Sequence, residues 1–123
     1  MKYVVLIYSN ADSRKLWEQF SETERGEGLA YYARFTAELE ASGELVVSEA
    51  LADPSTTKRV RVDEGATLTT DGPFAEAKEH LAGFYLLDVA SEERAIEIAA
   101  MVPEAALGLV EVRPARSLDP SEW

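Results

Sequence analysis

The sequence feature that most constrains the fold is a pair of segments that are apolar on both faces of a strand. Residues 2–8 read KYVVLIY and residues 81–89 read LAGFYLLDV, and both are almost continuously apolar. A strand exposed on one side alternates apolar and polar residues, whereas a nearly continuous apolar run is typical of a strand covered on both faces. Both segments are therefore predicted to be central strands of one sheet.

The remaining segments complete a β-α-β, hairpin, β-α-β order. Ser21 and Glu24 form a capping-box pattern that starts a long helix, and Gly43 is placed to end it. Ser91 is the predicted cap of a second helix. Further strands are predicted over 45–51, 58–62, 66–71 and 109–113, with Gly65 in the hairpin turn. A short helical turn over 12–20 is expected to direct Trp17 and Phe20 inward. The inner stripe of the long helix is expected to consist of Leu29, Tyr32, either Phe35 or Thr36, and Leu39.

This order predicts an α+β fold on the split βαβ, or ferredoxin-like, plan with a β-hairpin insertion. That plan places the first and third main strands at the centre and the second and fourth at the edges. The alternation of LVEVR (109–113) fits an edge strand. We predict a single domain over residues 1–123, in which residues 115–123 form an acidic C-terminal tail.

Assembly follows from the count of helices, because two helices can cover only one face of the sheet. Val4, Leu6 and Tyr8 point away from their neighbours in the first strand, and Leu81, Tyr85 and Leu87 are predicted to point away from Ala82, Phe84 and Leu86. An open apolar sheet face is a patch that soluble monomers avoid. We therefore predict a homodimer whose sheets pack face to face and close into an α+β barrel. The alternative is that the hairpin and tail fold over the sheet.

Composition and charge narrow the classes of function. A formal net charge of -11 repels phosphate backbones and argues against nucleic-acid binding. The chain has no cysteine and one histidine, which excludes thiolate metal sites and a multi-histidine site within one chain, so no metal or cofactor is predicted. No apolar run approaches the roughly 18 residues of a membrane helix. The apolar start is interpreted as a strand and not as a signal peptide, which predicts a cytoplasmic protein without membrane association.

The segment that links the hairpin to the third main strand carries the densest set of polar residues. Asp71-Gly72-Pro73-Phe74 is turn-forming, and Pro73 has no N–H for Asp71 to accept from. One reading is structural: Asp71 caps a helical turn that starts at Pro73, while Phe74 fills the core beneath it. The other reading is functional and places Asp71 and His80 close together at the two ends of the connection.

A carboxylate beside an imidazole orients it and supports proton exchange with a substrate, so Asp71 and His80 are the candidate catalytic pair. The alternative for His80 is an exposed loop residue without a role. Lys78, with Glu76, is a candidate for orienting an anionic or hydroxylated ligand, with plain solvation as the alternative. Gly83 interrupts an apolar strand and indicates a bulge or a close backbone approach to a ligand or partner chain. Phe74, Tyr8 and Glu49 complete the candidate ligand-binding residues; Tyr8 also fits the core, and Glu49 also fits a solvated edge.

The chain resembles the YCII-related family, in its DGPF-domain branch. The resemblance rests on MKYVVLIY, FTAELEASGELV, VRV, TTDGPFAEAKEHLAGFYLLDV and VEVRP, and it covers nearly the whole chain. It implies a dimeric α+β barrel of ferredoxin-like protomers. Some members look like enzymes with a histidine-aspartate pair in a cleft, and genes of the branch often lie beside those of alternative sigma factors, which implies a regulatory or stress setting.

Two departures from the enzyme-like members matter. The first long helix, YYARFTAELEASG, lacks their histidine, and AAMVPEA lacks their aspartate before a proline, so that pair cannot be carried over. Only Asp71 to Phe74 carry over, as the signature itself. The sequence thus leaves two functions open: a dimer that binds a small metabolite or a protein partner, and a small-molecule enzyme of lyase or isomerase type using the Asp71 loop.

Overall fold

The computed structural model describes residues 1–123 and has the predicted order of elements. Its helices and strands are β1 (Lys2–Ser9), α1 (Ala11–Gln19), α2 (Glu22–Ser42), β2 (Leu45–Ala50), β3 (Lys58–Asp63), β4 (Ala66–Asp71), β5 (His80–Asp88), α3 (Glu92–Ala100) and β6 (Val110–Pro114). Four strands form an antiparallel sheet in the order β2-β5-β1-β6, and β3 and β4 form a separate ribbon. The two segments that are apolar on both faces occupy the centre, so the α+β, ferredoxin-like prediction is confirmed.

The helix boundaries follow from local capping chemistry. The Ser21 hydroxyl accepts from the Glu24 N–H at 3.1 Å, and the Glu24 carboxylate accepts from the Ser21 N–H at 2.9 Å. Gly43 ends α2 in the left-handed region at φ 80°, which a residue with a Cβ rarely adopts. The Ser91 hydroxyl accepts from the Arg94 N–H at the start of α3. All three predicted caps are confirmed.

The core lies between the sheet and helices α2 and α3. Its buried members are Tyr3, Val5, Ile7, Phe35, Leu39, Tyr85, Leu87, Val89, Ala95, Ile98, Ala99 and Val102. Only the second half of α2 contributes buried residues, so the predicted inner position of Leu29 is wrong; that side chain is 63% exposed. Trp17 is also exposed, because its ring packs edge-on against Phe20 and over Gly28 at the start of α2, outside the core.

The other face of the sheet carries no helix. We call it the open face; its apolar residues are Val4, Leu6, Val47, Phe84 and Leu86, paired across β1, β2 and β5. The predicted orientation of Leu81 is wrong. A bulge leaves Ala82 unpaired, so Leu81 lies opposite Tyr8 and joins the open face. Both central strands therefore present apolar side chains to a face that this chain does not cover.

The hairpin of β3 and β4 stands apart from the four-stranded sheet. Glu64 and Gly65 both have positive φ, at 48° and 78°, which is the conformation of a type I′ turn. Val60 and Val62 are 66% and 67% exposed. The hairpin therefore does not fold back over the open face with its apolar residues buried.

The C-terminal tail after β6 closes on itself. The Arg116 guanidinium stacks 4.3 Å from the centre of the Trp123 ring, and the Trp123 indole N–H donates to the Ser117 carbonyl at 3.0 Å. Leu118 remains 88% exposed. The tail is therefore an ordered surface turn and does not cover the sheet.

No helix in the chain has the length and apolar character needed to cross a bilayer.

Acid is expected to weaken the fold through the link between β2 and α3. The Arg94 guanidinium donates to both carboxylate oxygens of Glu44, at 2.8 and 2.9 Å, which lowers the pKa of Glu44 from its ordinary 4.5. Because the folded-state pKa lies below the unfolded one, this stabilisation is present above about pH 4.5 and is lost as the pH falls through the folded-state value. Urea unfolding at pH 7, 5, 4 and 3 should show that the free energy of unfolding falls with pH. In Glu44→Gln this fall should be smaller. An equally steep loss in Glu44→Gln would contradict this role.

Candidate functional site

A depression of about 320 Å³ lies where β1 ends and β5 begins. Ser9 and His80 are register partners there, beyond the bulge in β5. We call this feature the His80 depression. It is lined by Asn10, Ala11, Asp12, Arg14, Ala77, Lys78 and His80.

The start of α1 positions the key cation of the depression. The Asn10 side chain accepts from the Ser13 N–H at 2.8 Å, and the Ser13 hydroxyl accepts from the Asn10 N–H at 2.9 Å, which fixes the first turn. Arg14 follows directly, and its Nη1 donates to the Ser9 hydroxyl at 2.9 Å. The same Nη1 lies 3.3 Å from His80 Nδ1.

The contact between Arg14 and His80 assigns the hydrogen-bonding roles of the two imidazole nitrogens. A guanidinium has N–H donors and no acceptor, and it stays charged at any relevant pH. Nδ1 of His80 must therefore be the acceptor, which assigns its proton to Nε2. With Nδ1 accepting from Arg14, Nε2–H is the remaining hydrogen-bond donor of His80.

Besides Asp12, which lines the depression, a second carboxylate lies close enough to Arg14 to interact with its charge. Asp53 caps the short 3₁₀ turn Pro54–Thr56 and accepts from the Ser55 N–H at 2.9 Å. That hydrogen bond is the main cause of the lowered pKa of Asp53, and the positive charge of Arg14 lowers it further. Asp53 therefore stays ionised beside the depression without forming an ion pair with Arg14.

Comparison with known proteins places the chain in a family. The family profile of the YCII-related domain matches residues 1–119. The chain belongs to the YCII-related family. An uncharacterized protein of Rhizobium meliloti (strain 1021) is 33% identical to it over 124 residues, which cover 99% of this chain and 98% of that protein. The resemblance predicted from the sequence is confirmed at the level of the family.

In this YCII-related chain, the structure brings together two of the predicted site residues, Lys78 and His80. Asp71 lies elsewhere: its carboxylate is 83% exposed and forms an ion pair with Lys58 across the hairpin. The nitrogen that His80 contacts belongs to Arg14. Asp71 and His80 therefore form no hydrogen bond with each other, and each is paired with a different side chain.

The predicted helical turn after Asp71 is wrong, and so is the predicted core position of Phe74. Residues 72–79 contain one turn, closed by the Ala77 N–H donating to the Phe74 carbonyl, and no helix. Gly72 adopts φ 85°, and its N–H donates to the Thr57 carbonyl at 2.7 Å. The chain is therefore held against the hairpin and does not start a helix. Phe74 is 66% exposed, with the Arg59 guanidinium 5.7 Å from the centre of its ring.

The three other candidate ligand-binding residues lie outside the His80 depression. Glu49 pairs with Phe84 on the open face, and Tyr8 lies there beside Glu111, whose carboxylate raises the pKa of the Tyr8 phenol. Gly83 is buried, and the predicted close backbone approach is present. The neighbour is the Glu49 carbonyl of β2 in the same chain.

Sequence reasoning missed Arg14, Asn10 and Asp53. The available signal was the segment SNADSRK, in which Asn10 and Ser13 have capping-box spacing and place Arg14 on the first turn after a strand. Polar residues at such strand ends are frequent in binding sites, since a rigid scaffold positions them. Asp53 gave no comparable signal, because its proximity depends on how the loop after β2 folds back.

Proposed function

We propose that this YCII-related protein is a homodimer that binds a small metabolite in the His80 depression of each protomer. The dimer is proposed from the exposed area of the chain and the composition of the open face. The ligand site is proposed from the convergence of Arg14, Lys78 and His80 on one cavity, and this convergence is the observation that carries the proposal.

The exposed area is too large for a compact monomer. The chain exposes 8716 Å², whereas a folded monomer of 13.5 kDa exposes about 6,500 Å². The difference of about 2,200 Å² exceeds the roughly 800 Å² that each partner contributes to a standard interface. The hairpin and tail account for part of the excess, and the open face supplies an apolar surface for the rest.

The open face has the composition of an interface. Apolar side chains lie at its centre, on β1 and β5, and charged groups lie toward its edge strands, with Glu49 on β2 and Glu111 and Arg113 on β6. A central apolar patch with a charged rim is the usual anatomy of a stable protein interface. A second copy of the same face provides a matching surface by two-fold symmetry.

A metabolite fits the His80 depression better than a protein partner does. Its volume lies at the lower end of the range of small-molecule pockets, roughly 300–1,000 Å³. Its lining is mainly polar, with Ala11 and Ala77 as the apolar members, and polar groups in fixed positions give small-molecule sites their specificity. The setting beside sigma-factor genes, implied by the family resemblance, agrees with a binding protein of this kind.

The alternative function, acid–base catalysis at the Asp71 loop, has less support from the geometry. The Asp71 carboxylate is exposed and engaged by Lys58. General acid–base catalysis requires the side chain to be within hydrogen-bond reach of a bound substrate, which an open surface position does not favour.

A thermal-shift screen of a metabolite library separates the two functions. We expect compounds that raise the melting temperature of the wild type; a ligand at 100 times its dissociation constant adds about 2.7 kcal/mol to the free energy of unfolding. The same compounds should stabilise Asp71→Asn to the same extent and Lys78→Gln much less. Hits that disappear in Asp71→Asn and persist in Lys78→Gln would favour the Asp71 loop, and a screen without hits would contradict the proposal.

A further inference from the structure

Arg14 is a half-buried cation that lacks an anionic partner. Both of its side-chain contacts, to Ser9 and His80, use the single atom Nη1. No carboxylate lies within ion-pair distance of it, although the chain holds 23 acidic residues. The Nε and Nη2 atoms, which form the edge that carboxylates recognise, make no hydrogen bond within the chain.

The neighbours of Arg14 add donors for the same kind of ligand. Lys78, whose side chain ends in an ammonium group, also lines the depression. His80 retains an Nε2–H because its Nδ1 accepts from Arg14. Since a guanidinium, an ammonium and an imidazole N–H are all donors, the ligand group that completes them is an acceptor with negative charge.

Two carboxylates limit how much negative charge the ligand can carry. Asp12 lines the depression, and Asp53 lies beside it with a lowered pKa and hence full charge. A phosphate group carries about 1.5–2 negative charges at neutral pH, so these two carboxylates repel it more strongly than a carboxylate with a single charge. The donors select for an anion, and the acids select for a monoanion.

We propose that the His80 depression binds a small monocarboxylate, with Arg14 as the anchoring residue and His80 Nε2–H and Lys78 as further donors. This inference rests on the proposed function, since it names the class of ligand for the same depression. The uncharged part of the ligand extends over Ala11 and Ala77, the apolar members of the wall.

The single histidine makes a direct test possible. Ring ¹⁵N spectra of histidine-labelled wild type at pH 7.5 and low salt contain the signals of one imidazole, that of His80. We expect the signature of a ring with Nδ1 unprotonated and Nε2 protonated. Benzoate and pyruvate serve as monocarboxylate probes, with benzamide as the neutral probe and inorganic phosphate as the dianion. The two carboxylates should shift the His80 signals saturably and more strongly than either comparison compound.

Three variants test the role of Arg14. Arg14→Gln should weaken binding of the carboxylate probes about tenfold or more, as expected when charge-assisted hydrogen bonds are removed. Arg14→Lys keeps the charge without the planar fork and should fall between Arg14→Gln and wild type. The matched control is Arg34→Gln, since Arg34 is exposed on α2 and forms no ion pair; its affinity should stay within about twofold of wild type.

The outcomes distinguish this inference from the function it rests on. Equal affinity in Arg14→Gln and wild type, a ring protonated at Nδ1 alone, or tighter binding of phosphate than of both carboxylates would overturn the inference. If a neutral library compound perturbs His80 while benzoate and pyruvate do not, the depression is a ligand site and the monocarboxylate assignment is wrong. If neither the library nor the probes bind, the proposed function fails as well.

Discussion

A Leu6→Glu variant is expected to sediment as a 13.5 kDa monomer at concentrations where we expect the wild type to be a dimer. Leu6 lies at the centre of the open face, between Phe84 of β5 and Glu111 of β6. Burial of one leucine side chain contributes about 1.5–3 kcal/mol, and a symmetric dimer loses that contribution twice. Because each 1.4 kcal/mol is tenfold in affinity, the dissociation constant should rise at least about a hundredfold. The glutamate charge adds to this loss, since the interface would desolvate it next to Glu111.

The matched control for this variant is Ile96→Glu. Ile96 is 53% exposed on α3, in the helix layer on the opposite side of the sheet. The same apolar-to-acidic change there should leave the dimer intact. A dimeric Leu6→Glu protein, or equal loss of the dimer in both variants, would show that the open face is not the interface. If Leu6→Glu unfolds instead, Leu6→Ala removes most of the same apolar contact without adding a charge and should weaken the dimer in the folded protein.

Gly83→Ala is expected to lower the free energy of unfolding by about 1–3 kcal/mol, as overpacking of a close contact does. A Cβ at position 83 would lie 2.9 Å from the Glu49 carbonyl oxygen and 3.5 Å from the Ala50 Cα. Both neighbours are backbone atoms of β2, so relief requires the strand to move. For a domain of this size the melting temperature should fall by roughly 4–12 °C in a calorimetric scan.

Gly26→Ala is the matched control, because the same methyl group meets no atom within 4 Å there. Gly26 lies inside α2, where alanine is favoured over glycine by about 0.5–1 kcal/mol, so the melting temperature should stay level or rise. If Gly83→Ala were as stable as Gly26→Ala, β2 would move aside without any loss in the free energy of unfolding. The close approach would then not stabilise the sheet.

The sequence predicted most of the fold because its signals are local and agree with one another. The capping residues Ser21 and Ser91, the glycines Gly43 and Gly65 and the two doubly apolar strands each specify a feature within a few residues. The order of the strands then follows from which of them need cover on both faces. Such consistency between levels is what lets a pattern define a fold.

The errors arose where position depends on distant parts of the chain. The bulge at Ala82 changed the face of Leu81; Gly83 indicated a bulge nearby, but a glycine does not identify which neighbouring residue is left unpaired. Leu29 fits the helical stripe, but the first half of α2 extends beyond the packed part of the sheet. Phe74 is apolar in a polar loop, yet the hydrogen bond from Gly72 to Thr57 carries that loop toward the hairpin.

The candidate site was predicted in part for the same reason. Lys78 and His80 were predicted because they lie in the polar segment between the hairpin and β5. Arg14 reaches His80 from 66 residues away in sequence, across the register pair of Ser9 and His80. A contact between distant segments requires the strand register, which the sequence pattern alone does not provide at a bulged strand end.

Sedimentation equilibrium of the wild type at micromolar concentration tests the central claim most directly. The sheet is apolar on both faces, and the helices of one chain cover a single face, so a second copy should cover the other. The measurement should return a particle of twice 13.5 kDa. A stable particle of 13.5 kDa at all concentrations up to about ten micromolar would show that the open face tolerates water, and would contradict the account of the assembly.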